Sequence, residues 1–128
     1  MNTVLVVEPG RAPYVKEIDS GLKSLQTEVG GWIEAVYPFE EEVALICNEE
    51  GKLSDLPLNR ALMDSDGEIY DIIAGTFLVV GLGEEDFCSL SDEYIKKFSD
   101  RFKKPEKFAE IDGKIIVIRI ENEDGESV

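Results

Sequence analysis

The chain has 128 residues, 28 of them acidic against 13 basic, and no histidine, for a formal charge of −15. That length suits one domain with a core that needs no staples, and 43% hydrophobic with 32% charged residues is a globular rather than a disordered composition. The charge disfavours direct binding to a phosphate backbone, the missing histidine removes the commonest general base and zinc ligand, and no apolar run approaches the ~20 residues of a membrane span.

Thr3 to Val7 is a β-branched apolar run that reads as a buried strand, stopped by Glu8-Pro9-Gly10. It is too short for a signal peptide, and no basic region precedes it, so the expected compartment is the cytoplasm. Tyr14 to Ile18 is a second strand, placed to form a loose hairpin with the first. Asp19 or Ser20 then caps a short helix with Leu22, Leu25 and Val29 on one face. Gly30-Gly31 ends it through a left-handed glycine. Trp32 to Tyr37 reads as a strand with Ile33 and Ala35 on one side and Trp32, Glu34 and Val36 on the other. Pro38 closes it, and Val43 to Cys47 pairs back on it, antiparallel, across Glu40-Glu41-Glu42. Asn48 to Gly51 is a tight turn with Gly51 at positive φ. Leu56-Pro57-Leu58 is extended, because proline disfavours helix at the residue before it.

Arg60 to Met63 fits a single helical turn, and Asp64 to Gly67 a reversal. Ile72-Ile73 and Thr76 to Leu82 are strand-like, with Gly75 a bulge or a point of close approach. Ser91 caps a second helix. Leu90 and Ile95 occupy hydrophobic-staple positions, Tyr94, Ile95, Phe98 and Phe102 make the buried stripe, and Pro105 follows the end. Asp112-Gly113, between Phe108 to Ile111 and Ile115 to Ile120, signals a type I′ hairpin. Residues 121–128 are polar and acidic and read as a disordered tail, leaving residues 1–120 as one domain without repeat or linker. The pattern predicts an α+β fold: a small, strongly bent antiparallel sheet or open barrel, with two helices covering one side. Cys47 and Cys88 each lie among apolar residues and read as reduced core side chains.

Asn48 to Arg60 is the densest polar block. Asn48, Glu49, Gly51, Lys52, Asn59 and Arg60 combine amides, a carboxylate, an ammonium and a guanidinium directly after a strand, an arrangement that can read a small polar ligand. The competing reading makes them turn residues, solvated acids and ion pairs. Trp32 and Glu34 share a strand face predicted to neighbour the block, where a ring can stack and a carboxylate hold a polar edge. Asp64, Asp66, Glu68 and Asp71 fail as a calcium loop, because the twelfth position is Gly75 rather than a glutamate. Gly81-Leu82-Gly83 lacks the third glycine of a dinucleotide fingerprint. No metal, cofactor or defined catalytic residue is expected.

Val29-Gly30-Gly31-Trp32-Ile33-Glu34-Ala35-Val36, Asn48 to Leu53, Leu56 to Ala61, Asp71 to Gly75 and Val79-Val80-Gly81 together resemble the family known as domain of unknown function 3846. The resemblance runs from about Val4 to about Ile118. It departs at Asp55, where the family pattern favours glycine. It implies an accessory protein of phages and conjugative elements, often encoded beside antirestriction genes, and no established activity. Its polar signature falls on Glu34, Asn48, Glu49, Gly51, Lys52, Asn59 and Arg60.

The leading expectation is a non-enzymatic binding module that captures a small polar, nucleotide-like ligand or a host defence protein. The alternative is an acidic DNA mimic that blocks a DNA-binding enzyme, which the charge favours. A third reading is an enzyme with Glu34 or Glu49 as base and Lys52 or Arg60 as electrophilic stabiliser. Membrane association and direct nucleic-acid binding are not expected. A homodimer through an edge strand is.

Overall fold

Three uninterrupted apolar runs become the central strands of the molecule. In the computed structural model, which describes residues 1–119, the elements are β1 (Asn2–Val7), β2 (Tyr14–Ile18), α1 (Leu22–Val29), β3 (Ile33–Val36), β4 (Val43–Asn48), β5 (Leu58–Met63), β6 (Ile69–Ala74), β7 (Phe77–Leu82), β8 (Phe87–Cys88), α2 (Asp92–Arg101), β9 (Glu106–Ile111) and β10 (Lys114–Arg119). Strands β2-β1-β7-β4-β3 hydrogen-bond in that order, all antiparallel, with β8 on the end of β7. The sheet is strongly bent and does not close into a barrel. The fold is α+β, as its alternation of patterns predicts. Two hairpins, β5–β6 and β9–β10, stand apart from this sheet as two-stranded ladders.

The central strands read as continuous apolar runs because both of their faces are covered. Val4, Val6, Ala44, Ile46, Leu78 and Val80 pack with Ile18, Leu25 and Val29 beneath α1. Leu5, Val7, Val43, Leu45, Phe77 and Val79 pack on the opposite face with Leu62 and Ile73 of the β5–β6 hairpin and Phe98 and Phe102 of the α2 segment. Phe39 stacks obliquely on Phe98, centroids 4.8 Å apart, and Phe77 meets Phe102 edge to face at 5.2 Å. The two helices therefore lie on opposite sides of the sheet, not on one side. The reason is that the pleat sends alternate residues of every central strand to both faces, and each face needs its own cover.

Local chemistry explains most boundaries. Ser91 caps α2 by accepting the Tyr94 N–H, with Asp92 and Glu93 in the first turn. Asp112 and Gly113 take φ of 53° and 79°, which closes the β9–β10 hairpin as the sequence predicts. For α1 the expected caps fail: neither Asp19 nor Ser20 occupies the position, which belongs to Gly21, and no side chain caps the helix. Gly30 ends it in the left-handed conformation. The tail from 121 onward lies outside the described residues.

Arg60 to Met63 is not a helical turn. These residues, with Leu58 and Asn59, form β5, and Asn59 and Arg60 are fully buried. Helix-forming side chains are overridden here by tertiary hydrogen bonds. Asn59 donates both amide hydrogens, to the carbonyls of Val7 at 2.9 Å and Gly75 at 2.8 Å. Its Oδ1 accepts from Arg60 Nη1 at 2.8 Å. Arg60 spends its other donors on three backbone carbonyls: Nη1 on Asn59, Nη2 on Arg11 and Phe102, and Nε on Phe102. Burial pushes the guanidinium's pKa down, and the charge of Glu106 opposes that shift.

Replacing Arg60 with alanine strands those carbonyls in the interior. The expected loss is about 3–5 kcal/mol, the scale for removing one partner of a buried charged network. Arg60→Lys will not restore it, because an ammonium cannot span the same carbonyls. Urea unfolding midpoints measure both; equal midpoints for parent and Arg60→Ala would contradict this role.

Candidate functional site

The polar block divides into an inner and an outer half. Glu34, Asn48, Glu49, Gly51 and Lys52 line a single cleft of about 290 Å³, together with Val36, Cys47, Leu53 and Asp71 to Ala74. Strands β3 and β4 form one wall and β6 the other, and the turn after β4 closes one end. Trp32 lies just outside the lining and is 68% exposed. Its carbonyl accepts the Glu49 N–H at 2.8 Å, tying the ring's backbone to the cleft turn. Asn59 and Arg60 are not in the cleft. Their donors are committed to the interior, which withdraws them from ligand binding and removes Arg60 as an electrophilic stabiliser.

Two of the cleft residues are there for geometry. Asn48 donates to the Val29 carbonyl at 3.2 Å and accepts the Glu50 N–H at 2.8 Å, fastening the turn to the end of α1. Gly51 does not have the positive φ expected of it. It is required by crowding, since a Cβ there would sit 2.7 Å from the Ala74 carbonyl oxygen. The positive φ falls instead on Asp55, at 57°. Asp55 N–H bonds the Lys52 carbonyl and Leu56 N–H the Gly51 carbonyl, the pattern of a Schellman cap, with Asp55 at its left-handed position. This gives a physical reason for a glycine preference at position 55.

The charged groups that line the cleft are Glu34, Glu49, Asp71 and Lys52. Lys52 Nζ bonds Asp71 Oδ1 at 2.6 Å, and both side chains are about half exposed. Asp71 had no distinguishing signal in the sequence beyond a carboxylate among apolar strand residues; the hairpin fold brings it opposite the Lys52 turn. Leu53, 86% exposed, stands at the cleft's edge. Three carboxylates against one ammonium make the cleft electronegative. Cys47 reports that field: burial first, then the charges of Glu34 and Asp71, push its thiol from an ordinary 9.0 up to about 11, with Lys52 opposing. Asp64 uses its carboxylate to accept the Asp66 and Glu68 N–H groups within its turn. Among the described residues no set of three or more thiol and carboxylate groups is placed to hold a metal ion.

An α+β scaffold of one bent sheet, two helices and an acidic cleft at the sheet's edge defines a small cleft-bearing domain. The sequence model of the family described as Domain of unknown function (DUF3846) matches residues 1–103, and the chain belongs to that family. The matched span contains the whole cleft and ends before β9. Comparison with curated proteins and with solved structures finds no match.

Two outcomes test this geometry. Asp55→Gly relieves a left-handed non-glycine residue and is expected to raise stability by about 0.5–1 kcal/mol, read by thermal or urea unfolding. A destabilised variant would refute the cap. Thiol titration at pH 8 is expected to show partly buried Cys88 reacting ahead of buried Cys47. Because the folded Cys47 value lies above the unfolded one, its contribution to stability is intact below pH 9 and is lost as pH rises toward about 11. Glu34→Gln should speed Cys47 modification; an unchanged rate would mean that the carboxylate does not act on it.

Proposed function

We propose that this protein is a non-catalytic binding module whose cleft receives a positively charged group, most simply an arginine or lysine side chain of a partner protein. The observation that carries this reading is the cleft's charge: Glu34, Glu49 and Asp71 face a single cation, Lys52, which is already paired. Such a field repels a phosphate, and the withdrawal of Arg60 removes the planar fork that phosphate recognition uses. The cationic ligand therefore replaces the nucleotide-like one as the favoured occupant. The exposed Lys52–Asp71 pair is worth little to stability, so an incoming guanidinium can exchange for Lys52 at small cost. Exposed Trp32 and Leu53 supply an apolar rim at the edge of the same site. In the mobile-element setting that the family resemblance implies, the partner is a host defence protein with a basic surface, and the compartment is the cytoplasm. Among the described residues no helix is long and apolar enough to cross a membrane.

A second reading, DNA mimicry, is supported by the net charge of −15. It differs in predicting that the whole acidic surface, not the cleft, carries affinity.

Calorimetry separates the two. An arginine-rich peptide is expected to bind, and to bind more tightly than any nucleotide. Asp71→Asn should weaken it about tenfold, ~1.4 kcal/mol. Lys52→Ala should strengthen it while leaving stability within about 0.5 kcal/mol. Glu84→Gln with Glu85→Gln, acidic residues outside the cleft, serves as the charge control. If that control weakens binding as much as Asp71→Asn does, the cleft is not the site; tighter binding of a nucleotide would exclude the cationic reading.

A further inference from the structure

The β9–β10 hairpin carries features that the cleft does not use. Among the described residues β10 pairs only with β9, so its outer edge is open. On its other side the hairpin is anchored: β9 packs against β5, and the Glu106 carboxylate accepts the Ala61 N–H at 2.9 Å. Natural sheets blunt such an edge with lysine, proline or a bulge. This edge has none of these between Lys114 and Arg119; it reads Ile115-Ile116-Val117-Ile118, four β-branched residues in register. Ile111, Ile115, Ile116 and Ile118 are all exposed. The charge of the segment is equally distinctive. Glu106, Glu110 and Asp112 balance Lys107, Lys114 and Arg119, in a chain that otherwise carries the full −15. Residues 106–119 carry no net charge of their own, whereas residues 1–105 carry −11 and residues 121–128 carry −4, so like-charge repulsion between two copies is weakest at this segment.

We propose that this edge is a homodimer interface, with β10 of one copy pairing antiparallel to β10 of a second about a twofold axis at Val117. That register is self-complementary. With Val117 on the axis, Ile116 of each copy stands beside Ile118 of the other, a favourable β-branched pair on one face. A one-residue slip is not open to such a pair, because a twofold axis normal to the sheet sets each residue only against residues of its own face. The pairing is isologous and closes at two copies, and it joins two two-stranded hairpins into one four-stranded ladder. It is independent of the cleft and leaves it open.

The test is sedimentation equilibrium of the full chain over a wide dilution series, with three proteins. The parent is expected to show a reversible monomer–dimer equilibrium. I116K/I118K sets like charges across the axis and should weaken dimerisation at least about tenfold, ~1.4 kcal/mol. I116K/I118E changes the same two exposed positions but sets lysine beside glutamate across the axis, and should retain more of the dimer than I116K/I118K. Circular dichroism confirms that each variant folds. In the parent, hydrogen exchange at β10 amides should slow as concentration rises, a readout that needs no variant. A parent that stays monomeric at every concentration overturns the proposal. So do two double variants that lose the dimer equally, which would mean apolar adhesion without register.

Discussion

The interior hydrogen bonds of Asn59 and Arg60 hold the architecture in place. The β5–β6 hairpin makes no ladder with the main sheet. Its apolar residues Leu62 and Ile73 give it affinity for the sheet face, but hydrophobic contact has no direction. Direction comes from Asn59, which grips the last residue of β1 and the reversal at Gly75, and from Arg60, which grips the segment after β1 and the end of the α2 segment. A buried guanidinium without a directly bonded carboxylate is costly to desolvate. Here every donor meets an oxygen, and the gain is a single position for the hairpin. Because β6 is one wall of the cleft, the cleft's shape depends on two residues that never reach it.

That dependence explains why the polar block behaves as two units. Its first half, through Lys52, follows β4 out of the sheet and stays at the surface. Its second half enters β5 and turns inward. Gly51 sits at the junction, pressed against the Ala74 carbonyl, and Asp55 completes the reversal in a left-handed conformation. The tight turn brings Lys52 to Asp71 and leaves Glu34 and Glu49 without a paired cation among the described contacts. The electronegative cleft is therefore a product of packing: the same fold that exposes the acids buries the one arginine nearest to them in sequence.

Charge and hydrophobicity are also partitioned along the molecule. Residues 1–105 carry a net charge of −11 and residues 121–128 one of −4, whereas the β9–β10 hairpin between them is balanced and exposes four isoleucines. A long-range field and an apolar edge thus occupy different parts of the chain. Like charge on the bodies also works against nonspecific clustering.

Much of the fold was legible because it is written in local physics. Val4 to Val7, Val43 to Cys47 and Phe77 to Val80 are runs whose apolar character makes no sense outside a buried strand. Ser91 with Leu90, Ile95, Phe98 and Phe102 encodes a capped, staple-bearing helix, and Asp112-Gly113 encodes its turn. Composition alone set the charge and the missing imidazole chemistry, and the order of apolar patterns set the α+β class. What the sequence could not reveal was where polar residues go once the chain is compact. Asn59 and Arg60 look like surface ligands until β1, the Gly75 turn and the α2 segment offer them carbonyls. Asp71 looks like any strand carboxylate until Lys52 arrives, and Gly51 is needed not for a positive φ but because of the Ala74 carbonyl, 23 residues on in sequence. Apolar periodicity is a property of the segment itself; the partner of a polar group is a property of three-dimensional proximity, and only the tertiary structure decides it.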